Sequence, residues 1–597
     1  MRTGVFFETS QQIVKNFLNN VVAIDDRLFF SPATSMPQPS MNDGINVNDV
    51  NDVNDVNDHF LFEGSDEANE DDSGVGIVTA NPAQTQIEPD AVITVDHSLD
   101  YQDLSLSFAE YGINCSGFIP DPNRFPTLDD AANKIAFSAK RADVTILDWR
   151  MDERFSEEAG TLAKTCINKI LKNDKEQHGR LRLIVIYTAE PDLNDIANNI
   201  FQNLNDIGLV TSLRNNNIIF SEPDLEFCKI SVIEKKINAN ELREEVIALF
   251  TELTIGLLPN ATLSTLSEIR DKTHHILHTF NKDLDPAYLS HIIGLLSSPK
   301  VRENADEVAL DYAAELIAEE LKSIIQISQP LKASLKKERI KNWLTHINNL
   351  DENDFFDVII GDKSGQVGSD KIQNLLDATS NKQIGRILSA PPLVIDETVN
   401  GAAKIFEDYR IQVNLKGEAC DSNEKLSIIE CKRRDGRSLT NNTYSPNIKL
   451  GSIVRNDNNQ YFICLQPLCD SVRLSIETSF LFLAVEVVNS PNGKFSYVIQ
   501  SQTGQNIKLM ARPTSQHIRK FTMTPDRTTR TIKVEKKQDG NEYVVSYTKD
   551  DASIGYMTWV GELKSNIAQS ISNNVAASIS RVGLDTNEWL RLSSSSR

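Results

Sequence analysis

No phosphate-binding glycine loop, no GxSxG elbow and no paired-CxxC metal motif occurs in the 597 residues. The usual sequence marks of nucleotide hydrolysis, serine-hydrolase chemistry and structural zinc are therefore missing. Long apolar runs are absent too. The most apolar late stretch, "SFLFLAVEVV", is ten residues long and carries Glu486, well short of the roughly 20 residues a membrane helix needs. The first residues, "MRTGVFFETS", have no apolar h-region, so a secretory leader is not expected. Cysteine is sparse, odd in number at seven, and scattered, which fits reduced thiols in a cytoplasm better than a disulfide framework. Positive charge is short as well. The net charge of −23 argues against nucleic-acid or anionic-membrane partners.

Lys and Arg are missing altogether from residues 31–90, where thirteen Asp and Glu fall. Inside this stretch "NVNDVNDVNDVND" (46–58) repeats an Asn-Asp-Val triplet. Its acids recur every third residue with no turn glycine, unlike an EF-hand loop. The composition reads as a disordered acidic insertion with too little apolar content to offset chain entropy.

What is present is ordinary globular material, 40% hydrophobic and 24% charged, in a chain long enough for three or four domains. Apolar runs at Val21–Ile24, "DVTILDW" (143–149), "RLRLIVIYTAE" (180–190) and "CKISVIEKK" (228–236) alternate with helical patterns. "INCSGFIPD" adds a strand before the helix "TLDDAANKIAFSAKRA", for which Thr127 is the expected N-cap. Such alternation predicts a doubly wound parallel sheet with helices on both faces. Residues 241–346 read as a helical bundle, 347–445 as a mixed, uncertain linker region, and 446–597 as a β-rich barrel or sandwich with a closing helix. The expected architecture is thus multidomain: 1–240 α/β with the insertion, then α, then β.

One stretch raises the functional question. "ADVTILDWRMD" (142–152) is an apolar run that ends on Asp148. The other predicted strand ends carry Asp25 and Asp26, Thr188, and Lys235, and chemistry in such sheets gathers beyond the carboxyl ends of the strands. Three carboxylates at one edge repel each other unless a cation joins them, and oxygen ligands of this kind suit Mg²⁺. A hydroxyl and an ammonium beside them would serve a phosphoryl group.

This set, in this order over about 16–240, resembles the receiver domain of bacterial two-component response regulators. "DW" after the strand and "IYT" in the next resemble a diverged response receiver subfamily of large multidomain proteins. The resemblance implies a flavodoxin-like fold and a role for each residue. Asp148 would be the phosphoacceptor. Asp25 and Asp26 would hold Mg²⁺, with the Arg150 backbone carbonyl as a further ligand. Thr188 would be the switch hydroxyl and Lys235 the lysine that pairs with the phosphoryl oxygens. Lys236 follows where a proline is usual, so either lysine is open, and Glu190 stands two residues beyond Thr188. The resemblance further implies a cytoplasmic signalling phosphoprotein, a regulator rather than an enzyme. Its implied partner is a histidine-kinase-like protein or ATPase, in loci of the phage-defence kind. A receiver fold that only binds a partner, as a scaffold, is the alternative.

Other signals are weaker. His274 and His278 share a helical face, a spacing that suits zinc or phosphotransfer but equally a partly buried helix. Cys464 and Cys469 have no second cysteine pair nearby and read as β-core thiols. "CKRRDGR" (431–437) is a small basic loop, and no acid–lysine motif supports a nuclease-like reading of the β-rich region. The insertion yields a first prediction: deleting residues 36–85 will leave the thermal midpoint within about 3 °C, because surface insertions contribute little to stability. Calorimetry of the two chains checks this, and a loss of cooperative unfolding would show that the segment packs.

Overall fold

The computed structural model describes residues 2–29 and 99–579, apart from short interior stretches at 152–154, 156–157, 236–237, 299–301, 303–304, 349–355, 361–362, 392, 408–410, 416–420, 436–444, 490–494, 502–504 and 538–541. The acidic insertion and Lys236 lie outside the described residues. The chain opens with α1 (Val5–Phe17) and β1 (Asn20–Ile24). Two short strands, β2 (Leu28–Phe29) and β3 (Leu99–Asp100), then pair in parallel and hold the two ends of the insertion together. The first domain continues through α2 (Tyr101–Ala109), β4 (Asn114–Phe118), α3 (Leu128–Ala139), β5 (Val144–Leu147), α4 (Thr161–Glu176) and β6 (Arg182–Thr188). It closes with α5 (Leu193–Asp206), β7 (Thr211–Arg214), β8 (Asn217–Phe220), β9 (Cys228–Glu234) and α6 (Ala239–Thr254).

The seven-stranded sheet runs β4-β1-β5-β6-β9-β8-β7. Its five parallel strands, counted along the chain, stand in the order 2-1-3-4-5, a doubly wound arrangement. Every residue of β6, "RLIVIYT", is buried, as a central parallel strand covered on both faces requires. One face packs Val22, Ile24 and Leu147 against α3, α4 and α5. The other packs Val21, Ala23, Ile146 and Val185 against α1, α2 and α6. Local signals agree with this packing. Thr127 caps α3 in a reciprocal box with Asp130, and Asn238 caps α6 with Glu241. The antiparallel β7–β8 hairpin and α1 are additions that the strand–helix alternation did not announce.

Six further helices follow: α7 (Leu257–Asp271), α8 (Thr273–Thr279), α9 (Asp285–Leu296), α10 (Ala305–Ile327), α11 (Gln329–Ser334) and α12 (Lys337–Asn348). They are stitched to the first domain through α1. The Ser267 hydroxyl and Arg270 guanidinium donate to the carbonyls of Asn16 and Phe17 at 2.8–2.9 Å, and the Asn260 amide donates to the Ser10 hydroxyl. Residues 356–415 then form a small antiparallel sheet of β10 (Phe356–Ile360), β11 (Lys363–Val367) and β12 (Ile411–Leu415), order β11-β10-β12, around Val358, Ile360 and Leu388.

The last part is a closed antiparallel barrel. Strands 452–456, 461–464, 478–487, 518–523, 543–548 and 554–563 pair in sequence, and the last also pairs with the first to complete the ring. Closure removes the free edges that an open sheet would present. Phe462, Phe480, Phe482, Met557 and Trp559 fill one core, and helix 565–579 covers a second. Among the described residues no single helix is long and apolar enough to cross a membrane.

At the amino end of β6, the fully buried Arg182 makes a forked pair with Asp174 of α4, and its Nη1 donates to the Ala139 carbonyl at 2.8 Å. Breaking such a pair strands a buried charge, at a cost of about 3–5 kcal/mol. Asp174→Ala is therefore expected to lower the stability of the first domain by that amount. Denaturant titration checks this, and a loss below about 1 kcal/mol would place the pair in effective contact with water.

Candidate functional site

Parallel strands deliver their carboxyl ends to one edge, and four of the ends here carry polar side chains. Asp25 and Asp26 follow β1, Asp148 follows β5, Thr188 is the last residue of β6, and Lys235 follows β9. The register pairs Ile24 with Leu147, so Asp25 and Asp148 stand side by side, and the Asp148 N–H donates to the Ile24 carbonyl at 2.9 Å. Thr188 pairs with Glu234, and the Lys235 N–H donates to the Thr188 carbonyl at 2.7 Å.

The centre of the arrangement is one ammonium between two carboxylates. Lys235 Nζ lies 2.5 Å from Asp25 Oδ2 and 3.0 Å from Asp148 Oδ2, and all three side chains are nearly enclosed. The other Asp25 oxygen accepts from the Arg27 N–H at 2.8 Å. Asp26 is half-buried beside them, and one oxygen from each of Asp25, Asp26 and Asp148 falls within 4.8 Å of the others. Burial pushes the Asp148 carboxyl up to about 6. Lys235 opposes that rise, while Asp25 and Asp26 add to it. For Lys235 burial works against the ammonium, but Asp148 and Asp25 outweigh it and its pKa ends above the ordinary value.

The residues after Asp148 explain how an acid is held at the end of an apolar strand. Trp149 and Met151 turn into the core beneath α3 and α4, which leaves Asp148 at the edge. The Trp149 ring lies against Gly160, where a Cβ would come within 2.1 Å of it. Gly160 also has φ +81°, so both the close approach and the backbone conformation call for glycine at the start of α4. Between Trp149 and Met151 the exposed Arg150 side chain reaches across the mouth to pair with Glu190. The Glu190 N–H donates to the Thr188 hydroxyl at 3.2 Å.

Asp25, Asp26, Asp148 and Lys235, read from sequence as one site, therefore meet in the fold, and Thr188 lies at the same edge. Arg150 and Glu190 were each singled out in the sequence, but their pairing across the mouth was not foreseen, since 40 positions separate them and nothing local joins their side chains. The other sequence candidates lie elsewhere. His274 and His278 sit exposed on α8. Among the described residues only the three aspartates form a cluster with metal-ligand spacing. Cys464 is buried in the barrel core, whereas Cys469 is exposed, so only the first is a core thiol. Arg433 and Arg434 of the basic stretch pair with the buried Glu562, forming part of the barrel wall.

Three hard oxygen donors with one lysine leave an excess of negative charge in an enclosed site. That donor set fits a small divalent cation such as Mg²⁺. Residues 17–239, the same stretch singled out by its strand ends, match the family model for the response receiver domain. The match covers less than half of the chain. No curated protein and no solved structure matches it.

The raised Asp148 pKa has a signed consequence. A carboxyl whose folded pKa exceeds its unfolded value contributes stability by holding its proton below about pH 4, and loses that contribution as pH rises through about 6. In chelator-treated protein, Asp148→Asn is expected to raise stability at pH 8 by about 1–3 kcal/mol. The gain should disappear near pH 4. Thermal unfolding of both proteins at the two pH values checks this, and a variant less stable at pH 8 would show that the lysine outweighs burial.

Proposed function

We propose that residues 17–239 act as a phosphoacceptor switch that regulates the helical and β-rich parts of the chain. The observation that carries this reading is the Lys235 ammonium held on both Asp25 and Asp148, with Asp26 alongside, at the carboxyl edge of a doubly wound sheet. The receiver-domain match over the same residues supports it.

In this reading an Asp148 carboxylate oxygen attacks the phosphorus of a phosphoryl donor. A new O–P bond forms as the donor's bond to phosphorus breaks, and the leaving group keeps the electron pair. The donor is a histidine-kinase-like or ATPase partner, and the setting is a bacterial signalling or defence system. Asp25, Asp26, Asp148 and the Arg150 carbonyl would hold Mg²⁺, which when bound offsets the charge of the phosphoryl oxygens. Lys235 already contacts the acceptor oxygen, so it is placed to pair with a phosphoryl oxygen once one is attached. The Thr188 hydroxyl accepts from Glu190 and keeps its own proton to donate. A phosphoryl oxygen on Asp148 would give that proton a partner, and this difference between the two states is what a population shift needs.

The shift has a contiguous path to follow. Asp25 directly follows β1, β1 follows α1, and α1 is hydrogen-bonded along its length to α7 and to Arg339 of α12. Movement at the acidic edge would thus be felt at the helical region through one short segment. A partner-binding scaffold without phosphorylation is the second reading. It is favoured by the lysine's contact with both carboxylates, which leaves the two acids already paired.

Millimolar Mg²⁺ is expected to raise the melting temperature by a few degrees, since a ligand bound only by the native state stabilises by mass action. Beryllofluoride with Mg²⁺ should add a further rise. Asp148→Asn should abolish that second step, Asp26→Asn should weaken the Mg²⁺ response, and Lys235→Ala should keep the Mg²⁺ response. A wild-type protein indifferent to both additions would leave the scaffold reading.

A further inference from the structure

Among the described residues three arginines are buried, and two of them are matched by acids. Arg182 forks onto Asp174, and Arg243 pairs with Glu110 and Glu244. Arg339 of α12 is the exception, enclosed with no acid among the described residues to oppose its charge. Its terminal nitrogens donate to the Phe6 carbonyl at 3.0 Å and the Ser10 hydroxyl at 2.9 Å. Its Nε–H is enclosed without an acceptor. The guanidinium also lies over the Phe6 ring, 4.0 Å from its centre, an attraction that leaves the charge in place. Burial pulls its pKa down to about 10, so the cation persists at neutral pH. A buried charge without a counter-charge is costly, and folded proteins normally supply one.

Arg339 lines a cavity of about 720 Å³ between α1 on one side and α7, α11 and α12 on the other. That volume lies within the range small-molecule sites take. Lys15, Arg270 and Lys272 also line it, against the carboxylates of Glu268 and Asp271. Four cations and two acids leave two positive charges, in a chain whose net charge is −23. Glu268 is already held by Lys272 at 2.6 Å and by Ser328. Lys15 has Glu244 at 3.4 Å, outside the cavity, and Arg243 shares that acid. Arg339 bonds to Ser10 and Arg270 to the Asn16 carbonyl, six residues or about 9 Å apart along α1. Ile13, Pro330 and Ala333 add apolar wall. Leu18 and Asn19 line the cavity at the amino end of β1, so it opens at the opposite edge of the sheet from Asp25 and Asp148.

We propose that this cavity binds a phosphorylated small molecule, from a sugar phosphate to a mononucleotide in size, whose phosphate pairs with Arg339. A guanidinium presents a fork of N–H donors that matches phosphate oxygens. The dianion also answers the two positive charges left over in the lining, which a single carboxylate would not. An organic body of about 9 Å then runs along α1 toward Arg270. Such a ligand touches the first domain and the helical region together, in the manner of an effector, at a place separate from the acidic edge.

Calorimetric titration of the full chain in EDTA, with inorganic phosphate, glucose 6-phosphate, AMP and succinate as probes, tests this. The chelator keeps Mg²⁺ from drawing phosphate to the acidic edge. At least one of the two phosphate esters should bind with a dissociation constant below about 1 mM, and more tightly than inorganic phosphate. Arg339→Gln should weaken that binding about tenfold or more. Ala333→Trp, at an exposed position on α11, should fill the cavity without removing Arg339, and it decides the matter if Arg339→Gln misfolds. Hydrogen exchange in α1 and α12 of the wild type should slow when the ester binds. No binding of either ester, equally tight binding of succinate, or binding that survives both substitutions would overturn the proposal.

Discussion

Burying two carboxylates beside one lysine, with a third half-buried next to them, at the mouth of a parallel sheet is costly, and most of what surrounds the site follows from managing that cost. Lys235 bridges Asp25 and Asp148, and the Arg27 N–H supplies a further donor to Asp25. Even so Asp148 keeps an affinity for protons well above that of an ordinary carboxyl. A site left with excess negative charge has an energetic use for a cation or for a change in its charge, and that is what makes it a candidate switch rather than a structural ion pair. The contrast with Asp174 and Arg182 is instructive. That pair is also buried, but it is matched one to one and forked, so it has little to gain from a ligand.

The sheet makes the cluster possible. β1, β5, β6 and β9 are parallel, and their register brings residues more than a hundred positions apart to within bonding distance at one edge. The apolar packing of Trp149 and Met151 beneath the edge, with Gly160 giving room to the indole, fixes the backbone from which Asp148 projects. At the rim, Arg150 and Glu190 join the loop after the acceptor strand to the loop after Thr188. Two loops that carry the proposed chemistry are therefore mechanically connected before any ligand arrives.

Beyond the first domain, α1 stands between two packing partners. Val14 contributes to the core under the sheet, while Phe6, Ser10, Asn16 and Phe17 accept hydrogen bonds from α7 and α12. A helix held from both sides and joined to β1 by two residues cannot follow one side without loading the other.

The alternation of apolar runs and amphipathic helices determined the doubly wound class, because strand and helix periods follow directly from side-chain order. Strand ends carrying Asp25, Asp26, Asp148, Thr188 and Lys235 were legible for the same reason. A parallel sheet sends its carboxyl ends to one edge, so chain order alone implies that they meet. Thr127 as a cap was legible because capping is local. Tertiary structure alone decided the rest. The hairpin of β7 and β8 and helix α1 are set by packing against the sheet, and the mixed stretch after α12 becomes a small sheet only through the distant pairing of β10 with β12. Barrel closure rests on the last strand meeting the first. The bridge of Arg150 to Glu190 and the single lysine shared by two carboxylates each depend on how far apart two segments lie in space. Sequence order does not contain that distance, because it is set by the sum of all the packing between them.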